Sequence, residues 1–405
     1  MDFNCTKRRK TDDDAPSLPP AATPMDLLPT EIVQDILSRL PITSLVQFRS
    51  VCRSWRVLAV DPELVALSLR RAAPCLLLHC DFPIRNQIYF ADLAAEDSRV
   101  RRIQVPFWPS MSEFEVIGSC NGLLCLSDSL YGDALYVYNP FAGKFTQLPK
   151  SEHYAGQEVA FGFGFHPRTK EYKVIKIVYY RGRGRRSSGS GRPVGSRRMM
   201  SDVQILTLGS QSGWRTQPKV SHHFLGSKPG EALVNGRLHW VTRPRRCNPV
   251  RRLISFDLGD EQFREVPKPD CGGLNRCNLS LIAVRDCLGA AVYCNYGRLE
   301  IWVMKEYNEK ESWVKELSIG AYMPKGLKQN VERSYKIWRT ALSGRVRVLC
   351  VLENGEILLE YKSRVLVCYD GNSGRFRDLK LQGLPKWFQA NVVVGCLNWI
   401  DTPIL

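Results

Sequence analysis

Three stretches of this chain share one spacing, and that spacing restricts the fold more than any other feature. Leu135-Tyr136-Val137-Tyr138-Asn139 is followed six residues after Asn139 by Phe145, then by Leu148-Pro149. Leu253 to Asp257 leads after six to Phe263 and Val266-Pro267, and Val365 to Asp370 leads after six to Phe376 and Leu379. Upstream of each copy stands an Asn-Gly, at Asn121-Gly122, Asn235-Gly236 and Asn354-Gly355, followed by an apolar run. That dipeptide best accepts the positive φ angles of a tight hairpin turn. Weaker copies run through Val203 to Trp214 and through Ala290 to Trp313 with Leu317, the second with a longer turn. Each copy reads as three or four antiparallel strands in a unit of roughly 45 to 65 residues, too small to bury both sheet faces alone. Stacking such units around an axis buries them, which predicts a β-propeller of about six or more blades over residues 75–405. A large β-sandwich is the alternative.

The chain ahead of this region follows a helical period instead. Ile32, Ile36, Leu37 and Leu40, then Leu45 and Phe48, then Val51, Cys52, Trp55 and Leu58 mark three short helices within residues 25–70. Pro29 can start the first helix and Pro41 stops it, because proline suits a first turn but cannot donate within a helix interior. Thr43 or Ser44 is placed to cap the second. The fold class is therefore α+β and multidomain: a small all-α unit followed by a large all-β one. Helices this few form less core than an independent domain needs, so apolar faces should stay uncovered for a partner.

Residues 1–24 are polar, charged and rich in proline, the composition of a disordered tail. They carry Lys7-Arg8-Arg9-Lys10, a run long enough for nuclear import but nearly neutralised by Asp12, Asp13 and Asp14. No window approaches the ~18 apolar residues of a membrane span, and no hydrophobic signal segment is present, so the expected location is nucleus and/or cytoplasm, with no membrane partner.

A net charge of +17 suggests nucleic acid until it is located. Arg181 to Arg198 holds seven Arg and no acid, and Arg243 to Arg252 holds five, so +5 remains elsewhere. The stretch 181–200, built of Arg, Gly and Ser, reads as a disordered loop. Such loops can contact phosphate, yet no aromatic residue is interleaved to stack on bases. Arg183, Arg185, Arg186, Arg245 and Arg246 are the candidates for contact with an acidic or phosphorylated protein target.

Catalytic and metal constellations find no support in the residue inventory. The six His form no His-x-x-x-His pair, and neither a Gly-x-Ser-x-Gly elbow nor a phosphate-binding loop with Lys-Ser or Lys-Thr occurs. His239 and Trp240 could line a propeller mouth, though a half-buried structural His is the commoner role. The fourteen cysteines lie scattered, several in apolar runs, and contain no Cys-x-x-Cys. They read as small buried hydrophobes, and no metal, cofactor or catalytic residue is expected.

The helical segment resembles the F-box motif in Leu28-Pro29-x-Glu31-Ile32-Val33-x-x-Ile36-Leu37-x-x-Leu40-Pro41, then Leu45-x-x-Phe48-Arg49-x-Val51-Cys52-Arg53-x-Trp55. The strand region, with Ser119-Cys120-Asn121-Gly122-Leu123-Leu124-Cys125, Tyr138-Asn139-Pro140 and Gly162-Phe163-Gly164-Phe165, is similar to the F-box-associated domain of the large plant family. The Arg-rich loop departs from that pattern. The resemblance implies a non-catalytic substrate-recognition subunit of an SCF-type cullin-RING ubiquitin ligase, docking on a Skp-type adaptor while the β-domain holds a protein target. It also implies that Leu28, Pro29, Ile32, Ile36, Leu37, Leu40, Pro41, Leu45, Phe48, Arg49, Val51, Cys52, Arg53 and Trp55 form the adaptor-binding element, divided between a mini-core and the adaptor surface. The alternatives are helices that merely pack on their own β-domain, and a basic β-domain that binds nucleic acid with no ligase role. Phe107, Trp108 and Trp387 are aromatic candidates for a binding face.

Overall fold

The computed structural model describes residues 28–80, 87–93, 99–107, 113–128, 134–181, 199–218, 224, 232–242, 250–271, 278–294, 298–320, 346–361 and 364–401. The 1–24 tail, the Arg/Gly/Ser stretch after Arg181, the five candidate Arg residues and Trp108 lie outside these.

Four helices precede the strands, one more than the spacing predicts: α1 (Thr30–Ser38), α2 (Ile42–Phe48), α3 (Arg53–Leu58) and α4 (Pro62–Arg71). Pro29 and Pro41 each stand immediately before a helix, their carbonyls accepting the first turn's N–H groups. Thr43 and Ser44 therefore fall inside α2, and no side chain caps it. The extra helix has a local cause. Asp61 accepts from the N–H of Glu63 (3.0 Å) and Leu64 (3.3 Å), and Pro62 occupies the first helical position. The same carboxylate accepts from Gln34 Nε2 at 2.9 Å, tying α4 to α1.

The remaining strands form six four-stranded antiparallel sheets. Blade one begins with β1 (Pro74–Cys80), β2 (Gln87–Asp92) and β3 (Arg101–Ile103). Blade two is β4 (Phe114–Cys120), β5 (Leu123–Asp128), β6 (Leu135–Asn139) and β7 (Lys144–Gln147). Blade three follows with β8 (Glu158–His166), β9 (Glu171–Arg181), β10 (Met199–Thr207) and β11 (Arg215–Pro218). Blade four comprises β12 (Ala232–Val234), β13 (Arg237–Val241), β14 (Leu253–Asp257) and β15 (Phe263–Val266). In blade five come β16 (Asn278–Val284), β17 (Cys287–Cys294), β18 (Arg298–Met304) and β19 (Trp313–Ile319). Blade six holds β20 (Val346–Val351), β21 (Ile357–Tyr361), β22 (Val365–Asp370) and β23 (Arg375–Asp378). The last strand, β24 (Gln389–Val394), pairs antiparallel with β1 and completes blade one as its inner strand. Because β24 touches both β20 and β4, the ring closes on itself and the architecture is a six-blade propeller, not a sandwich.

The three strong copies of the sequence repeat fall on the third and fourth strands of blades two, four and six, and the turn between those strands explains the spacing. Asn139 Oδ1 accepts the N–H of Phe141 (2.8 Å) and Ala142 (2.9 Å); Asp257 and Asp370 accept those of Gly259 (2.8 Å) and Asn372 (2.9 Å). A carboxamide or carboxylate at this position bends the chain into a fixed turn. The aromatic six residues on then lies opposite an aromatic of the third strand: Phe145 pairs with Tyr138, Phe263 with Phe256 and Phe376 with Tyr369. Ring centroids of the last two pairs sit 4.7 and 4.8 Å apart.

His239, on β13, is wholly buried where a half-buried residue was expected. Its ring lies between the Ala232 carbonyl (3.3 Å) and the Tyr307 hydroxyl (2.8 Å), so it joins blade four to the turn ahead of β19 and lines no open mouth. Burial holds its pKa down at about 4, against about 6.5 for an exposed imidazole. Below pH 6.5 the unfolded chain therefore takes a proton that the folded chain refuses, and stability falls as pH drops toward 4. The contribution lost between pH 6.5 and 5 is about 2 kcal/mol. In thermal melts at pH 7 and pH 5, His239→Gln should shrink the drop in midpoint seen for the natural chain; an unchanged drop would assign the acid sensitivity elsewhere.

Candidate adaptor-binding surface

The helices bury one apolar face and present another. Val33, Leu37, Ile42, Leu45, Phe48 and Leu64 are at most 6% exposed and share one cluster with Cys75 and Leu77 of β1 and with Val393 and Leu397 beyond. Leu28, Ile32, Ile36 and Leu40 are 42, 49, 43 and 37% exposed. They recur every four residues and so form a stripe along α1 and its ends. Val51 is 65% exposed, and Pro29, Pro41, Cys52 and Arg53 are exposed as well. Seven of the eleven large apolar residues exposed among the described ones lie between Leu28 and Val60.

Of the fourteen residues expected to divide between a mini-core and the adaptor surface, three fall in the core. Leu37, Leu45 and Phe48 are core side chains, and Trp55 is half-buried with its ring against Phe48 at 3.5 Å between centroids. Arg49 turns inward to donate to the Ala142 carbonyl of blade two at 3.3 Å. Sequence reading missed Val57 on α3 (70% exposed) and Val60 just past it (37%), which stand on either side of the buried Ala59 in the chain. Their exposure was legible only once Ala59 was known to face inward.

The helical unit is seated firmly on the propeller. Gly395, just past β24, lies so close to Ile42 that a Cβ there would meet its side chain at 2.6 Å. Arg71 pairs with Asp35 at 2.7 Å, holding α4 against α1 where the chain enters β1. In an antiparallel blade, first-to-second and third-to-fourth turns share one face, and second-to-third and blade-to-blade connections share the other. The helices sit against the first face, among the short turns around Ala142 and Gly395. Both Arg-rich stretches join a second strand to a third, β9 to β10 and β13 to β14, so their anchoring strand ends lie on the far face.

Residues 25–66 match the model of the F-box-like domain, and residues 80–399 match that of the F-box associated β-propeller domain. The chain belongs to the F-box family with an associated β-propeller. An Arabidopsis thaliana relative, F-box protein At3g07870, is 54% identical over 98% of each chain. F-box protein CPR1 of the same plant is 28% identical over 92% of this chain and 89% of its own, and F-box/kelch-repeat protein At3g23880 is 26% identical over 86% and 89%.

F-box proteins are in general substrate adaptors rather than catalysts: the F-box domain implies a Skp-type partner, and the propeller implies target recognition. In this F-box protein the cysteine side chains on β5, β20 and β22 are buried, and burial pushes the Cys350 thiol up to about 12, which removes it from thiolate chemistry at neutral pH. Among the aromatic candidates, Phe107 is 2% exposed and packs on Tyr136 at 5.0 Å, so it is blade packing. Trp387 is half-exposed beneath the guanidinium of Arg364, 3.4 Å from its ring centre.

Proposed function

We propose that this chain is the interchangeable target receptor of a Skp–cullin–RING ubiquitin ligase and contributes no catalytic residue of its own. The observation that carries this reading is the stripe of Leu28, Ile32, Ile36 and Leu40, a third to a half exposed on a helix whose other side is locked to the propeller. Uncovered apolar side chains in register on a rigid support are the signature of an obligate protein contact. Ubiquitin transfer asks only that a target lysine be held near the charged conjugating enzyme, a gain in effective concentration that a rigid receptor supplies. The experiment is co-purification of the full chain with a Skp-type adaptor and a cullin. Stable capture at physiological salt supports the reading; salt-sensitive nucleic-acid binding with no adaptor capture overturns it.

A further inference from the structure

The far face of the propeller carries a pair of carboxylates that have no ion-pair partner among the described residues. The segment after β7 brings Tyr154 onto Tyr180, the penultimate residue of β9, with ring centroids 4.0 Å apart and planes within 5°. The Tyr180 hydroxyl donates to Asp202 Oδ2 at 2.8 Å, and the Tyr154 hydroxyl stands between Asp202 Oδ2 (3.0 Å) and Glu152 Oε2 (2.8 Å), its single proton serving one of them at a time. The neighbouring carboxylates, Glu152 first, raise the Tyr154 hydroxyl pKa. It therefore stays protonated, and the two rings keep Asp202 and Glu152 side by side.

Among the described residues no Lys or Arg forms an ion pair with Glu152 or Asp202, although the chain carries +17 overall. Lys176 donates to Ser151 Oγ (2.7 Å) and to the Glu152 carbonyl (3.2 Å). A second observation points to a missing donor. Gln204 lies two residues from Asp202 on the same face of β10 and is 0% exposed. Its Nε2 donates to the Glu152 carbonyl at 3.2 Å, while its Oε1 meets no donor among the described residues. A buried acceptor without a donor costs about 1 to 3 kcal/mol.

We propose that Tyr154, Tyr180, Asp202 and Glu152 form a pocket for an arginine or lysine side chain of the protein target. Two carboxylates supply charge-assisted hydrogen bonds, and the stacked tyrosines offer a flat face to the cation. This rests on the propeller being the target-holding unit, and it names the target's recognised element as basic, opposite to what the Arg-rich stretches alone suggest.

The test uses the full chain and three labelled peptides, Ser-Arg-Arg-Ser, Ser-Lys-Lys-Ser and Ser-Glu-Glu-Ser, in fluorescence anisotropy. The Arg and Lys peptides should bind, and Asp202→Asn or Glu152→Gln should weaken them at least tenfold with an unchanged thermal midpoint. Equal binding to Asp202→Asn, or preference for the Glu peptide, overturns the pocket. Should the basic peptides bind only after Arg183, Arg185 and Arg186 are replaced by Gln, the occupant is the chain's own segment and the target-derived cation is wrong. Adaptor capture, measured on the same variants, depends on none of these residues, so failure of the ligase reading would show separately.

Discussion

Ile32→Asp together with Ile36→Asp should weaken adaptor capture by at least a hundredfold while leaving the thermal midpoint of the chain within about 2 °C of its natural value. Both side chains lie on the outer face of α1, 49 and 43% exposed, so a carboxylate there meets water in the free protein and costs the fold little. In the complex each would be a buried, unpaired charge where an apolar anchor belongs. A loss of about 2 kcal/mol per anchor is typical of such positions, and each 1.4 kcal/mol is tenfold in affinity. Leu37→Ala, one residue from Ile36 but facing inward at 2% exposure, provides the contrast: it should cost about 2 to 5 kcal/mol of stability and lower capture only through loss of folded protein. Pull-down quantified against the folded fraction separates the two. If the double Asp variant is captured as well as the natural chain, the stripe is not the docking surface.

The facing of these residues is also where sequence reasoning reached its limit. Along α1 the sets Leu28, Ile32, Ile36 and Val33, Leu37 both recur every four residues, so periodicity announces two apolar faces and cannot say which one the propeller covers. The propeller itself was legible because Asn139, Asp257 and Asp370 impose one turn geometry and so one spacing to the following aromatic. Blade one escaped notice for the same reason: Asp92 is followed six residues later by Ser98, and β3 begins only at Arg101, so the repeat is broken by a longer connection. The Asp61-Pro62 start of α4 was a local signal left unread. No local signal could have disclosed the Tyr154, Tyr180 and Asp202 cluster, whose members come from separate strands and loops and meet only through blade three.

Deleting residues 389–405 should cause a loss of cooperative folding, because the last described strand closes the ring. β24 pairs with β1 from Pro74 opposite Val394 to His79 opposite Gln389, and it alone bridges the innermost strands of blades six and two. Without it Leu76 and Leu78, both 0% exposed, would face water along an unpaired strand edge, an invitation to aggregate. The residues just past β24 act as a second latch. Asn139 Nδ2 donates to the carbonyls of Cys396 (3.0 Å) and Asn398 (2.6 Å), and Asn398 Nδ2 donates to the Tyr172 hydroxyl at 2.6 Å, so the chain end is fastened to blades two and three. Gly395 lies within the same stretch and receives Ile42 of α2, so the seat of the helices depends on ring closure as well. Asn139→Ala tests the latch without removing a strand. It leaves two buried carbonyls and two turn N–H groups without their partners, a cost of about 3 to 5 kcal/mol that should appear in urea unfolding as a lower midpoint with an unchanged slope. A truncated chain that still unfolds in one transition at the natural midpoint would mean that blade one is stable without its inner strand, and that the propeller is held by its blade-to-blade packing alone.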